Sequence, residues 1–382
     1  MIKRLRVSNY RSLGENLVVE LGRFTALVGP NGSGKSNVVD VLRFVSDAMQ
    51  MGLSGAITHR NGIGAVRRWS GGRPFNVSIG LELDLGEGRP ASYSFELRGD
   101  SAEEYKVKKE EASIGDRFSY LLGDDDWFSF RVESGKWIEG PPGLKPPLDE
   151  KSLALSIIGG DARFQPLVHA LQQISIYSIF PDTLRAPQKY SAVKPMDRHG
   201  SNWASILKDQ PKESWKPELV AALHKLTGDI EDIKDSQAAS YIVIEFRHAS
   251  AKKPKWFDAA QESDGTLRVA GIVTALLQEP PVPVIGVEEP ELTVHPGAIP
   301  LLYDFLKQAS LRSQVIVTTH SPELLDLMDA DDVRVVVRGQ EGTTVAPMAS
   351  SQRQAVRAGL MTLGEVLRTE GLQQDLPLVG VE

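Results

Sequence analysis

The chain of 382 residues has no cysteine. That excludes disulfides, thiolate zinc sites and a cysteine nucleophile, and it fits a reducing cytoplasm, where the protein is expected. No apolar run is long enough to cross a bilayer, so no membrane association is expected. Nothing at the start resembles a signal peptide: Met1-Ile2-Lys3-Arg4-Leu5-Arg6 runs straight into strand-like alternation. Repeats and heptads are missing, which excludes a coiled-coil arm. An excess of positive charge is missing too, since the net charge is −7. Basic residues cluster only locally, at Lys3, Arg4, Arg6 and Arg11, at Arg67, Arg68 and Arg73, and at Lys252, Lys253 and Lys255. Each cluster reads as a solvated face or as a DNA contact.

What is present centres on Phe24 to Met49. Phe24-Thr25-Ala26-Leu27-Val28 is a short apolar run that predicts a buried strand. Gly29-Pro30-Asn31-Gly32-Ser33-Gly34-Lys35-Ser36 follows and satisfies G-x-x-x-x-G-K-[ST] at every fixed position. A helix is expected from Ser36, with Val38, Leu42, Val45 and Met49 on one face and Val41, Phe44 and Ala48 widening it. Strand, glycine loop and helix come in the order a phosphate cradle needs. Glycines let backbone N–H groups approach phosphate oxygens, and the positive end of the helix dipole faces the same anion. Lys35 can reach the β- and γ-phosphates of ATP, and the Ser36 hydroxyl can hold Mg²⁺. The bland alternative is a glycine turn before an ordinary helix.

Around this unit, residues 2–28 predict three strands. Gly52 to Pro74 reads as a long loop. Asn76–Leu85, Ala91–Leu97, Glu104–Ile114 and Asp126–Val132 predict antiparallel, hairpin-connected strands. Residues 140–145 break the pattern. Lys151–Ile158, Ala162–Gln173 and Pro217–Leu226 look helical, whereas Ile174–Ile179 and Tyr241–Phe246 look extended. After Asp264, helices and apolar strands alternate through Val337, which implies a parallel sheet that the Phe24–Val28 strand joins. The expected division is 1–100, 101–235 as an inserted β-hairpin and helical lobe, 236–340, and a tail at 341–382 available to a partner.

Three further stretches carry chemistry. Val284-Ile285-Gly286-Val287 ends in Glu288-Glu289-Pro290-Glu291, carboxylates at the carboxyl edge of a buried strand, where open α/β sheets bind ligands. Glu288 would hold Mg²⁺, and Glu289 would deprotonate an attacking water. The alternative is a solvated acidic turn. Thr318-Thr319-His320-Ser321 follows another apolar strand, and His320 can donate to a γ-phosphate or be a satisfied surface histidine. His295 carries the same ambiguity, with a structural or dimer-contact role preferred. Ser263, with Asp264 and Gly265 in the first turn, either caps a helix or forms a second phosphate cradle.

Set together, these stretches resemble the ABC-type ATPase heads of the SMC, RecF and OLD group, and most of all the compact "predicted ATPase" family labelled AAA15 or AAA21. Met1 to Leu13 is similar to its opening strand, Gly29–Asn37 to its Walker A, and Glu262–Leu267 to its degenerate signature. Glu288–Glu291 with His295-Pro296 resembles its Walker B and D-loop, and Thr319-His320-Ser321-Pro322 its switch histidine. The resemblance implies a P-loop NTPase of ABC/SMC-head type: an α/β fold with a mixed central sheet, an antiparallel β N-terminal lobe and a helical insertion. It implies catalytic Glu289, Glu288 and His320. It implies a nucleotide site of Asn31, Gly32, Ser33, Gly34, Lys35, Ser36 and Asn37, completed by Ser263, Asp264 and Gly265 of a second copy, with Mg²⁺ on Ser36 and Glu288. It implies a homodimer that closes around ATP and hydrolyses it to ADP and phosphate. Two departures stand out. Glu262 takes the first signature position, and Glu288 stands where Asp is usual. A Q-loop is sought within 172–190, where Gln172, Gln173 and Gln188 are the candidates. About sixty residues follow His320, too few for a TOPRIM nuclease, so a separate effector such as a nuclease is expected in an anti-phage role. The alternative is a RecF-like repair ATPase that clamps DNA, and a weaker one is a scaffold that binds ATP with little turnover.

Overall fold

The computed structural model describes residues 1–70, 74–99, 101, 103–116, 127–250 and 255–375. Arg73, Lys252, Lys253 and Asp126, named above, and tail residues 376–382 lie outside these.

Strands β1 (Ile2–Ser8) and β2 (Leu17–Glu20) pair antiparallel. Leu5 and Val7 point inward while Arg4 and Arg6 point out, the two-residue alternation of a half-buried strand. β3 (Phe24–Val28) is buried at every residue. Helix α1 (Lys35–Thr58) runs past the predicted end at Met49, kinking at Gly52 with φ 79°. Leu53, Ala56 and Ile57 are buried beyond the kink, so the apolar face outweighs the glycine and the expected loop begins as helix. Short α2 (Ile63–Val66) follows.

β4 (Val77–Asp84), β5 (Pro90–Arg98), β6 (Lys106–Ile114), β7 (Phe128–Glu133) and β8 (Lys136–Glu139) join the first two strands in a seven-stranded antiparallel sheet of order β2-β1-β4-β5-β6-β7-β8. β5 and β6 pair from Ala91↔Ile114 to Arg98↔Lys106, so a boundary at residue 100 cuts between hydrogen-bonded neighbours. The first basic cluster is largely consumed here. Arg4 and Arg6 pair with Glu82 at 3.0 and 2.9 Å, and Arg11 pairs with the buried Asp40 at 3.0 Å. Arg67 is buried as well, donating to the carbonyls of Ser101 and Glu104.

Helices α3 (Ala154–Ile158) and α4 (Gln165–Gln172) lead into β9 (Ile174–Tyr177). The region expected as an insertion therefore supplies an edge strand of the parallel sheet, because the apolar run from Ile174 pairs with a later core strand. Next come α5 (Pro181–Arg185), β10 (Gln188–Lys189), α6 (Trp203–Asp209), α7 (Lys212–Thr227), β11 (Ile230–Ala238), β12 (Tyr241–His248) and β13 (Lys255–Asp258). β10 to β13 make a small antiparallel sheet around β12.

The chain then returns to the core with α8 (Asp264–Leu276), β14 (Val284–Glu288), α9 (Ile299–Ala309), β15 (Gln314–Thr319), α10 (Pro322–Leu325), β16 (Val333–Gly339) and β17 (Gly342–Pro347). The six-stranded sheet has order β17-β16-β3-β15-β14-β9, parallel except for β17. Of the expected tail, the described part, 341–375, packs on the domain. β17 completes the sheet, and Met348, with Leu363 and Val366 of α12 (Leu363–Thr369) beyond α11 (Ser350–Arg357), lies in the core. Residues alternate between two cores: Leu27, Ile176 and Ile316 face α1 and the antiparallel sheet, whereas Ala26, Val28, Ile285 and Val317 face α8 and α9. Each fully buried Leu, Ile or Phe side chain contributes roughly 1.5–3 kcal/mol over an exposed one.

Candidate nucleotide site

The glycine loop leaves the carboxyl end of β3 and is braced from a distance. A side chain on Gly29 would collide with the carbonyl of Val336, and one on Gly34 with the hydroxyl of Thr343. Gly34 has φ 107° and Gly32 φ 77°, the left-handed region that glycine enters freely. Thr343 Oγ1 donates to the Ser33 carbonyl at 2.8 Å and lies 2.9 Å from Ser12 Oγ. Asn37 donates its amide to Ser12 at 2.8 Å, so in this structure it supports the loop from behind. Asn31, Gly32 and Ser36 are exposed. No side chain caps α1; the Asn37 N–H donates to the Gly34 carbonyl at 3.0 Å, and the N–H groups of Lys35 and Ser36 are left for an anion. Lys35 Nζ donates to the carbonyls of Gly29 at 2.7 Å and Pro30 at 3.2 Å. Burial holds its pKa below the ordinary lysine value, against the opposing pull of the Glu289 and Glu291 charges.

Those carboxylates arrive from the neighbouring strands. Register aligns Val28 with Thr319 and Thr318 with Glu288, so β3, β15 and β14 end at one edge. Glu289 turns sharply, with φ 44°, and its N–H donates to the Thr318 carbonyl at 2.9 Å. His320 Nδ1 lies 3.7 Å from Glu289 and 3.9 Å from Glu291. The Glu291 carboxylate is buried: one oxygen accepts from Thr319 and from the His320 N–H, and the other has no partner among the described residues. Glu288, at the edge of burial, is paired with Arg198.

The motifs left two residues unread. Arg268 on α8 is buried and donates to the carbonyls of Glu288 at 3.2 Å and Glu289 at 2.7 Å, which holds the turn after β14. Its signal was a lone arginine inside an apolar helix. Arg198 lies in a loop far along the chain, and no local pattern pointed to it.

The start of α8 stands apart. Ser263 caps it, accepting from the Thr266 N–H at 3.1 Å, and Asp264 pairs with Arg185. A side chain on Gly265 would come within 2.9 Å of the Thr293 carbonyl, so the helix start abuts the loop after β14. Among the described residues no hydrogen bond or ion pair joins Ser263, Asp264 or Gly265 to the glycine loop of the same chain. Glu262 accepts from His248 at 2.8 Å. His295 accepts from the Gly297 N–H at 3.1 Å and closes a local turn. Gln172 and Gln188 spend their amides on backbone carbonyls, at Met49 for the first and at Thr183 and Gly200 for the second. Gln173 follows the last turn of α4, its N–H on the His169 carbonyl.

A resident metal would find few ligands here on its own. Among the described residues no group of three or more His, Asp or Glu side chains is placed to hold one. Ser36 and Glu288 nevertheless fit Mg²⁺, which keeps waters and takes phosphate oxygens beside one or two protein ligands. The buried, unpartnered oxygen of Glu291 adds an acceptor in want of a donor.

Residues 24–326 match the AAA_21 family model, described as "AAA domain, putative AbiEii toxin, Type IV TA system". The chain is 27% identical over 118 residues to Structural maintenance of chromosomes protein 1 of Schizosaccharomyces pombe, covering 28% of this chain and 9% of that protein. It is 40% identical over 68 residues to Chromosome partition protein Smc of Methanocaldococcus jannaschii, covering 16% and 6%. The matches thus span less than a tenth of the length of these relatives. In fold it is similar to an Smc head bound to the C-terminal winged-helix domain of ScpA, with TM-score 0.58 and 16% identity over 92% of this chain and 99% of that one. It is also similar to the Pyrococcus furiosus Smc head with an extended coiled coil bound to the C-terminal domain of ScpA. There the TM-score is 0.56 and the identity 13%, over 94% and 99% of the two chains. The fold is that of an SMC-type P-loop ATPase head.

Proposed function

This chain belongs to the AAA_21 family, and from that premise we propose that it is an ATP-hydrolysing switch that dimerises around nucleotide and controls a separate effector. The observation that carries the reading is the meeting of Glu289, Glu291 and His320, just past the ends of β14 and β15, near Lys35 at the start of α1. The Lys35 side chain and the N–H groups of Asn31, Gly32, Gly34, Lys35 and Ser36 bind the phosphates, while those of Ser33 and Asn37 serve the Pro30 and Gly34 carbonyls. Lys35 exchanges its two backbone carbonyl partners for phosphate oxygens. Ser36 and Glu288 would hold Mg²⁺, which would supply charge neutralisation at the phosphates. Glu289 takes the proton of the attacking water, and His320 donates to the γ-phosphate. Arg268 keeps the Glu288-Glu289 backbone fixed while the proton moves. Ser263, Asp264 and Gly265 act on the nucleotide of the partner copy, in keeping with their separation from their own glycine loop. The effector is a nuclease acting in anti-phage defence, a role supported by a family description that names a toxin of a type IV TA system.

The chromosome-directed names of the matched relatives favour a second reading, in which the dimer clamps DNA directly as a RecF-like ATPase. The cross-strand pairing of Arg4 and Arg6 weighs against that surface as the DNA contact. Two measurements test the proposal: ATP turnover of the purified chain, and DNA affinity over a range of salt. Turnover with no salt-dependent DNA binding supports the switch, and a steep fall of DNA affinity with salt supports the clamp. Failure to bind ATP in calorimetry would overturn both.

A further inference from the structure

Glu288 does not stand free at the end of β14. Its Oε2 accepts from the Arg198 guanidinium at 2.6 Å, and the residue is only 9% exposed. The segment bearing Arg198 is fastened on both sides. The Arg198 carbonyl accepts from the Ser178 N–H at 2.8 Å, just past β9, and the ring of His199 bonds the Ser178 carbonyl at 2.8 Å. Met196 N–H donates to Gln278 at 2.6 Å, and Asp197 accepts from the N–H groups of His199 and Ser201. β9 is the neighbour of β14, so this anchoring sets the guanidinium over one particular carboxylate. Arg198 Nε is buried and has no hydrogen-bond partner among the described residues, so the pairing serves Glu288 better than it serves the arginine. A groove of about 990 Å³ opens alongside, and Asp47 and Asp197 are among the residues lining it. A displaced guanidinium has room there, beside Asp47, which already pairs with Arg60 at 2.7 Å, and beside Arg43 and Lys194, which line the same groove.

A guanidinium at hydrogen-bond distance repels a divalent cation and occupies the oxygen that the cation needs. We infer that Arg198 competes with Mg²⁺ for Glu288 and thereby sets the metal concentration at which the site loads. This rests on the reading of Glu288 as a metal ligand. Before nucleotide arrives, the ion pair satisfies both charges and keeps the carboxylate from collecting a stray cation. Loading of the site would require the Arg198 guanidinium to leave Glu288 for the groove.

The test is a Mn²⁺ titration of the full chain with saturating ADP, reading free Mn²⁺ by electron paramagnetic resonance. Arg198→Gln, Arg198→Lys, Glu288→Gln and the Arg198→Gln/Glu288→Gln double variant are compared with wild type, each checked for folding by its thermal melt. Half-saturating Mn²⁺ should fall about tenfold in Arg198→Gln, the size set by one charge-assisted hydrogen bond, with Arg198→Lys in between. Glu288→Gln should bind Mn²⁺ more weakly, and the effect of Arg198→Gln should vanish in its background. If Arg198→Gln loads at the wild-type concentration or above while Glu288→Gln is weakened, the competition is wrong and the metal-ligand reading survives. If Glu288→Gln loads as wild type does, the metal-ligand reading fails and the competition with it.

Discussion

Thr319, the last residue of β15, donates its hydroxyl proton to the buried carboxylate of Glu291 at 2.6 Å. The bond crosses from one strand end to the loop after its neighbour. It is reinforced by the His320 N–H, 3.3 Å from the same oxygen. Two chain segments about thirty residues apart are thereby locked, and Glu289 and His320 approach to 3.7 Å from different strands.

That lock defines the expected behaviour of Glu289→Gln. The amide keeps the shape and loses the base, so ATP should still bind while kcat falls by about 10²–10⁴-fold. Because the nucleotide persists, a dimer should accumulate in light scattering with ATP. Turnover near wild type would exclude Glu289 as the base and move the test to Glu288 and Glu291.

On the proposed reading, Lys35→Ala removes a cation that binds the β- and γ-phosphates. Nucleotide affinity should fall on the order of a hundredfold in calorimetry, the size of a lost charge-assisted contact to phosphate. The ammonium also bonds the carbonyls of Gly29 and Pro30, so a thermal melt should accompany the titration. Unchanged affinity would remove the phosphate-cradle assignment.

Ser263 has a local role already, as the cap of α8. If that were all, Ser263→Arg would cost about 1 kcal/mol of stability and leave ATP chemistry alone. The two-chain reading expects more: monomers that bind ATP but neither dimerise nor hydrolyse. Mixing Ser263→Arg with Lys35→Ala should restore part of the activity. Each heterodimer then holds one site with both lesions and one intact site. A mixture that stays inactive while subunits demonstrably exchange would reduce this stretch to an ordinary helix start.

Glu110 supplies a pH dependence unconnected with nucleotide. Its buried carboxyl accepts from the N–H groups of Ala154 and Leu155 and from the Tyr93 hydroxyl, tying β6 to the start of α3. Burial pushes its pKa up to about 7, despite the three donors that pull the other way. An acid whose pKa is raised on folding binds more protons folded than unfolded. Its contribution is therefore complete below the ordinary glutamate range and is lost as pH rises through about 7. The loss should be on the order of a few kcal/mol between pH 4.5 and pH 8. Glu110→Gln should flatten that slope in denaturant titrations, though it lowers stability, because the amide has one acceptor oxygen for two N–H groups and its nitrogen accepts from neither. An equal slope in the variant would assign the pH dependence elsewhere.

The sequence alone determined the glycine loop between strand and helix and the order of the polar runs that close the core strands. Gly29 to Ser36 carries its own instructions, because glycine freedom, helix start and lysine lie within one turn of each other. The carboxylates after β14 and the histidine after β15 were legible for the same reason: each is a short polar run closing an apolar strand. Only the tertiary structure decided what holds these pieces together. Thr343 braces the loop, Arg268 fixes the turn after β14 and Arg198 sits on Glu288, each from a distant part of the chain. The four-residue run from Ile174 became a core strand because β14 offered an unpaired edge, and the glycine at 52 was carried inside a helix by the apolar residues beyond it. Local motifs are written in adjacent residues. Which side chain reaches across to neutralise, brace or block them depends on strand order, and strand order is set by burial across the whole sheet.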